Sequence, residues 1–163
     1  MTALIVLSLD IVTKSWAISA LADGPKKIIG SFLQLDLAFN SGAAFSLAQT
    51  RTIFLTLFAF VVAGFVLYFG ARFTSKPWGI ALGLLFGGIC GNLVDRILRE
   101  PRALQGQVVD WIKVSHWPTF NLADTSIVLS AGLILLLGAR NIKPISPNNS
   151  GDAGDIQVGA YEY

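Results

Sequence analysis

The stretch TIFLTLFAFVVAGFVLYFGA, Thr52–Ala71, runs from Arg51 to Arg72 without a charge between them. A helix needs roughly 20 predominantly apolar residues to cross the hydrocarbon core of a bilayer, so this run predicts a membrane span over about residues 52–70. The next charge-free run, Pro77 to Val94, predicts a second span over about 77–96. Two more apolar stretches flank this pair. One, about 122–140, carries a single acid, Asp124, near its start; the other, about 2–21, is apolar except for Asp10 and Lys14. The chain therefore reads as a membrane α-helical protein, a four-transmembrane-helix bundle formed by residues 1–140 as one integral-membrane domain. A short turn around Ser75, Lys76 and Pro77 joins the middle helices, while long segments, about 22–51 and 97–121, join the others. Alternation puts both long segments on one side of the membrane, which is the expected side of function. Residues 141–163 are polar, rich in Pro, Asn, Gly and Asp, and are expected to be disordered.

Composition agrees with this and narrows the chemistry. Charged residues make up 13% of the chain, about half the ~25% usual in soluble domains. A formal charge of +2 gives no reason to expect nucleic acid as a partner. One cysteine, Cys90, excludes an internal disulfide, and one histidine, His116, excludes a multi-histidine metal centre. Chemistry is left to carboxylates, hydroxyls, amides and a few bases. The first span holds an acid and a base and no clear cleavage pattern, so it reads as a helix and not as a removable signal peptide.

Ionisable side chains inside spans are costly and usually functional. Asp10 and Lys14, four apart, share a helix face and can neutralise each other; an ion pair that only holds helices together is an equally good reading. Gly79, Gly83, Gly87 and Gly91 recur every fourth residue and allow another helix to approach closely. On a helix of 3.6 residues per turn that stripe drifts by roughly 40° per step, which favours a crossing over a long seam. Asn92, Asp95 and Arg96 end the same span on one face. They read either as a polar helix end or as a site for a carbonyl or carboxylate ligand.

Val108 to Ile112 is β-branched and aromatic, and predicts a short strand carrying Asp110. Asn121 is a good N-cap for the last helix, and Asp124, three residues on, complements the helix dipole. Capping alone would explain Asp124. If Asp110 and Asp124 meet, however, they cannot both ionise easily and share one proton. The charged one can then take a proton from water while the other polarises a carbonyl, which is amide hydrolysis without a metal.

Four blocks together resemble one family, the lipoprotein signal peptidases (signal peptidase II). They are Asp10–Lys14, Asn40–Phe45, Gly87–Arg96, and Val108–Asp110 joined to Pro118–Asp124. The resemblance spans Asp10 to about Arg140. It implies an aspartic endopeptidase with four membrane helices and a small extracytoplasmic β-sheet platform, using no cofactor and no metal. By position, Asp110 and Asp124 match the catalytic pair. Asp10, Lys14, Asn40, Asn92, Asp95, Arg96 and Asn121 match the family's supporting polar residues. The implied substrate is a prolipoprotein cut just before a cysteine that carries a diacylglyceryl group, with membrane lipid around it and globomycin-type peptides as inhibitors. The implied setting is the bacterial cytoplasmic (inner) membrane, multi-pass, with the active site at the extracytoplasmic face and the chain a monomer. Gly42, Ala43 and Ala44 after Asn40 carry little bulk and are expected to form a lid loop over the peptide.

The chain also departs from the family. Ile97 to Gln107 is a longer insert than expected, and the stretch from Asp110 to Asn121 is shorter, so the platform under Asp110 is expected to be rearranged. Residues 1–9 span only about 13 Å of helix, so the native start is expected upstream of Met1. Basic residues create a conflict as well: Lys26, Lys27, Arg51, Arg96, Arg99, Arg102 and Lys113 lie in or beside the long segments, against Arg72, Lys76, Arg140 and Lys143 on the other side. A plain count would place the long segments inside, whereas the motifs place them outside. Two rival readings remain distinguishable. A metal-dependent lipid transferase using Asp95, Asp110 and Asp124 would be chelator-sensitive. A small transporter using Asp10 and Lys14 would tolerate Asp110→Asn and Asp124→Asn.

Overall fold

The computed structural model describes residues 1–42, 48–101 and 103–145, and for residues 48–51 only the backbone. Four helices are long and apolar enough to cross a membrane: α1 (Thr2–Ala20), α2 (Ala48–Gly70), α3 (Lys76–Leu98) and α4 (Leu122–Ala139). Three strands, β1 (Lys26–Ile29), β2 (Leu33–Asn40) and β3 (Val108–Val114), form an antiparallel sheet in the order β1-β2-β3.

The outside of the bundle is apolar: Phe54, Val61, Phe65, Val128 and Leu135 are all more than half exposed. In water such a surface would drive association, but in lipid it is the solvated face. Without a hydrophobic force between helices, close packing must hold them, and small residues supply it. The third helix is central and packs on the other three. A Cβ at Gly87 would lie 2.7 Å from Ala3 O on α1, and one at Gly88 would lie 2.5 Å from Ala123 O on α4. Gly83 also meets α1, at Thr2, whereas Gly79 faces open space. Gly91 meets α1 again one turn further on, at Asp10, so Gly83, Gly87 and Gly91 line one seam along α1, where the drift of the stripe favours a crossing. Gly88 lies off that stripe and serves a second neighbour.

The first long segment supplies β1 and β2, the second supplies β3, and the pairing Ala38↔Asp110 and Asn40↔Val108 joins them. Both segments thus lie at one end of the bundle. Phe120 folds back onto the sheet, its carbonyl accepting from Trp111 N and Ile112 N. That return delivers Asn121 to the start of α4. Trp16 of α1 meets Trp111 edge-on at 5.6 Å, fixing the sheet to the bundle. At the other end Ser75 stands at the N-terminal boundary of α3, without a side-chain cap bond, and a proline lies in the helix's first turn. There Pro144 O accepts from Thr74 N and Ser75 N, so the first residues after α4 lie against the α2–α3 turn. The remainder of the polar tail, 146–163, is outside the described residues.

Candidate active site

Each polar side chain at the sheet end of the bundle is placed by its element. Asp10 and Lys14 lie one turn apart on α1, and their ion pair measures 2.7 Å. Lys14 Nζ reaches two more acceptors, Asp95 Oδ2 at 2.9 Å and Asn92 Oδ1 at 3.0 Å, both on α3. The side chains of Asp10, Lys14 and Asp95 are at most 3% exposed. Burying one cation among three oxygens is tolerable because two of them belong to carboxylates that offset its charge and the third accepts a hydrogen bond from it. Asp10 Oδ1 in turn accepts from Ala123 N, and Asp95 Oδ2 from Val109 N. The two acids thereby pin the first turn of α4 and the start of β3.

Lys14 also sets the next link. A lysine only donates, so the Asn92 oxygen must face it, and Asn92 Nδ2 points the other way, donating to Asp124 Oδ1 at 2.8 Å. Asn121 completes the frame. Its Nδ2 donates to Asp110 Oδ1 at 2.7 Å and to Asn92 Oδ1 at 3.2 Å. Its Oδ1 accepts from Asp124 N, and its backbone N–H donates to Asp124 Oδ2 at 3.3 Å, closing a reciprocal cap on α4. Asn40, at the end of β2, donates to Asp110 Oδ2 at 2.9 Å and accepts from Gly42 N.

Asp110 and Asp124 therefore meet on one residue, Asn121, one through its side chain and the other through its backbone. Among the described residues no hydrogen bond joins the two carboxyls directly. Each accepts two amide hydrogen bonds, and the two at Asp110 favour its charged form. Burial acts against them at Asp110 and pushes its carboxyl up to about 6, with the charge of Asp124 adding to the rise and the Asn40 and Asn121 amides opposing it.

Arg96 differs from expectation. Asn92 turns to Asp124, and Asp95 turns to Lys14 and Arg99, so neither holds it. Among the described residues its Nη1 is buried with no hydrogen-bond partner, although the charges of Asp110, Asp124 and Asp95 all act on it. A donor left free in this way suits a carbonyl brought by a ligand. Beside it a cavity of about 290 Å³ runs down between α2, α3 and α4, lined by Leu55, Phe58, Val62, Leu85, Ile89 and Ile127 and ending at Asn92 and Arg96. Gly42 lies over this mouth at φ +75°; a Cβ there would come within 2.6 Å of Leu55 and 3.1 Å of Arg96 Nη2. The rest of the expected lid, Ala43 to Phe45, falls outside the described residues.

Sequence reasoning passed over Arg99, whose Nε donates to Asp95 Oδ1. The four-residue spacing from Asp95 was the available signal. Ser115 and His116 touch at 2.9 Å in an exposed turn, with no acid in contact among the described residues. Asp95, committed to Lys14, Arg99 and Val109 N, does not turn toward Asp110 and Asp124, and among the described residues no three metal-ligating side chains gather.

A solved bacterial membrane enzyme, determined by the in meso method, superposes with a TM-score of 0.70 at 28% identity, over 90% of this chain and 92% of that one. With four spanning helices, that makes the chain a multi-pass membrane enzyme. The family model described as signal peptidase (SPase) II matches residues 2–139. The lipoprotein signal peptidase of Mycobacterium tuberculosis is 47% identical over 136 residues, 83% of this chain and 67% of that protein. The one of Mycobacterium avium is 47% identical over 133 residues, 81% of this chain and 73% of that protein. The chain belongs to the signal peptidase II family and is, accordingly, a membrane aspartyl protease.

Proposed function

We propose that this enzyme removes the signal peptide from diacylglyceryl-modified prolipoproteins just before the lipidated cysteine, with Asp110 and Asp124 activating the attacking water. The observation that carries the proposal is the shared Asn121, which holds both carboxyls next to Asn92, a polar residue lining an apolar cavity between spanning helices. A lipidated cysteine leaves the bilayer at a cost of ~0.8 kcal/mol per buried methylene, so its scissile bond must be met at the lipid boundary. The site works at the extracytoplasmic face of the cytoplasmic membrane, in a monomer, and globomycin-type peptides compete for it. Residues 1–140 are the catalytic domain.

Asp124, at the positive end of α4, is the charged member. It takes a proton from water as the oxygen attacks the carbonyl carbon. Asp110, the protonated member, donates to the carbonyl oxygen, and Arg96 Nη1 supplies a further donor to the substrate. When the tetrahedral intermediate collapses, the carbon–nitrogen bond breaks and the proton held by Asp124 passes to the leaving amine. Asp110 recovers its proton as the carbonyl re-forms. Asp10, Lys14, Asn40, Asn92, Asp95 and Asn121 hold this geometry, and Gly42 leaves room for the peptide.

The test is cleavage of a diacylglyceryl-modified prolipoprotein peptide in detergent, against the same peptide without lipid, with and without chelator. The lipidated peptide should be cut before the cysteine with kcat/KM at least ~10²-fold higher, whatever the chelator. The free enzyme should lose kcat/KM as pH rises through about 6 and the Asp110 proton leaves. With bound substrate excluding water, the same limb in kcat should lie higher. Loss of cleavage with chelator would mean that the cut depends on a metal and not on the two carboxyls alone.

A further inference from the structure

The charges at the sheet end nearly balance, and the imbalance is informative. Among the described residues, Asp10 and Lys14 come from α1, Asp95 and Arg96 from α3, Arg99 from just past its end, Asp110 from β3 and Asp124 from α4. Four carboxylates thus face three cations. Asn40 on β2 contributes no charge, Asp36 and Lys113 neutralise each other on the sheet, and Glu100 is exposed. The cluster is neutral when it holds one proton.

Of the three cations, Arg99 is the one supplied by the start of the insert, and it is held firmly. Its backbone N–H donates to Asp95 O at 2.9 Å and its Nε to Asp95 Oδ1. The insert then returns over it: Gly106 N donates to Arg96 O, and Gln107 N to Glu100 O. A Cβ at Gly106 would collide with Asp95 O and Arg99 O. An i,i+4 pair on an open helix surface would leave chemistry untouched. Here the partner is 2% exposed, and its other oxygen holds both Lys14 Nζ and Val109 N, the residue before Asp110.

We propose that Arg99 is a positioning residue for the peptidase reaction: it neutralises buried Asp95, which keeps β3 in register beneath Asp110 and leaves the one proton of the cluster to Asp110 and Asp124. The proposal rests on the peptidase reading above. Without Arg99 the cluster carries an extra negative charge, and every carboxyl in it holds protons more tightly. A proton taken up by Asp95 would also weaken its hold on Lys14 and Val109.

The experiment measures kcat, KM and the pH profile of the full chain in detergent for wild type, Arg99→Gln, Arg99→Lys and Asp124→Asn, on the lipidated peptide. Arg99→Gln should lower kcat about tenfold, change KM less than about twofold, and move both limbs of the profile up by about half a pH unit, a threefold gain in proton affinity. Arg99→Lys restores the charge and should return the limbs to their wild-type positions. A purely structural role would reduce folded yield and leave the profile of the folded enzyme in place, which overturns the proposal; so would Arg99→Lys behaving like Arg99→Gln. If Asp124→Asn cleaves at the wild-type rate, the assignment of the reaction to Asp110 and Asp124 fails and Arg99 falls with it. If Asp124→Asn is dead while Arg99→Gln keeps the wild-type profile, the role of Arg99 alone is refuted.

Discussion

Asp110→Asn and Asp124→Asn should each lower kcat by about 10³-fold or more, with KM changed little and the protein still folded. Neither replacement removes a packing atom. Asn at 124 can still accept from Asn92 Nδ2 or from Asn121 N, the two donors its carboxyl now serves. Asn at 110 faces the Nδ2 groups of Asn40 and Asn121, so one donor is left facing another, a cost of about 1–3 kcal/mol. What each variant loses outright is a proton acceptor or a shared proton. Because the two carboxyls act as one unit, the double variant should be no slower than the worse single one. The measurement is single-turnover cleavage of the lipidated peptide alongside thermal unfolding in detergent. Near-normal cleavage by either variant would mean that the reaction does not run on this pair of carboxyls.

Lys14→Met should give the largest loss of stability. The ammonium serves Asp10, Asp95 and Asn92 at 2.7–3.0 Å, all buried or half-buried. Removing it leaves Asp10 facing Asp95, offset by Arg99 on Asp95 and by the more distant charge of Arg96, and an undercompensated buried charge of this kind costs about 3–5 kcal/mol. The damage reaches the site by two routes. Asn92 loses the nearer of the two donors that fix its amide toward Asp124, keeping Asn121 Nδ2 at 3.2 Å, and Asp10, once protonated, weakens its hold on Ala123 N at the start of α4. Adding Asp10→Asn to Lys14→Met should recover about half of the lost stability but not the activity, because Asn92 stays loose. Unfolding midpoints in detergent for the single and double variants provide the check, and a change below about 1 kcal/mol for Lys14→Met would mean that the buried ions are not held as pairs.

Much of this was legible in the chain itself. Charge-free runs such as Thr52–Ala71 mark spans because a bilayer leaves little freedom in length and polarity. Asp10 and Lys14 were readable as a pair from spacing alone, as was Asn121 as the cap of α4, since both are local. The strands of the first long segment were not identified. Residues 33–40, LQLDLAFN, do alternate, but β1 is wholly exposed and β2 only half-buried, so neither shows the strong apolar face that marks a strand. Gly88 escaped notice because its partner on α4 depends on how three helices cross. The orientation of Arg96 was also beyond reach: whether Asn92 and Asp95 hold it depends on Lys14, 78 residues from Asn92 in the chain. The four-residue spacing of Asp95 and Arg99 was visible, but its importance comes from the burial of Asp95, which only the fold supplies.

The central claim is that the two aspartates deliver a water molecule to the peptide bond and do not attack it themselves. Cleavage in water enriched in heavy oxygen, quenched within the first turnover, tests this directly. The new carboxyl end of the released signal peptide should carry the label from that first turnover. An unlabelled first product, its oxygen drawn from an aspartate side chain, would contradict the claim.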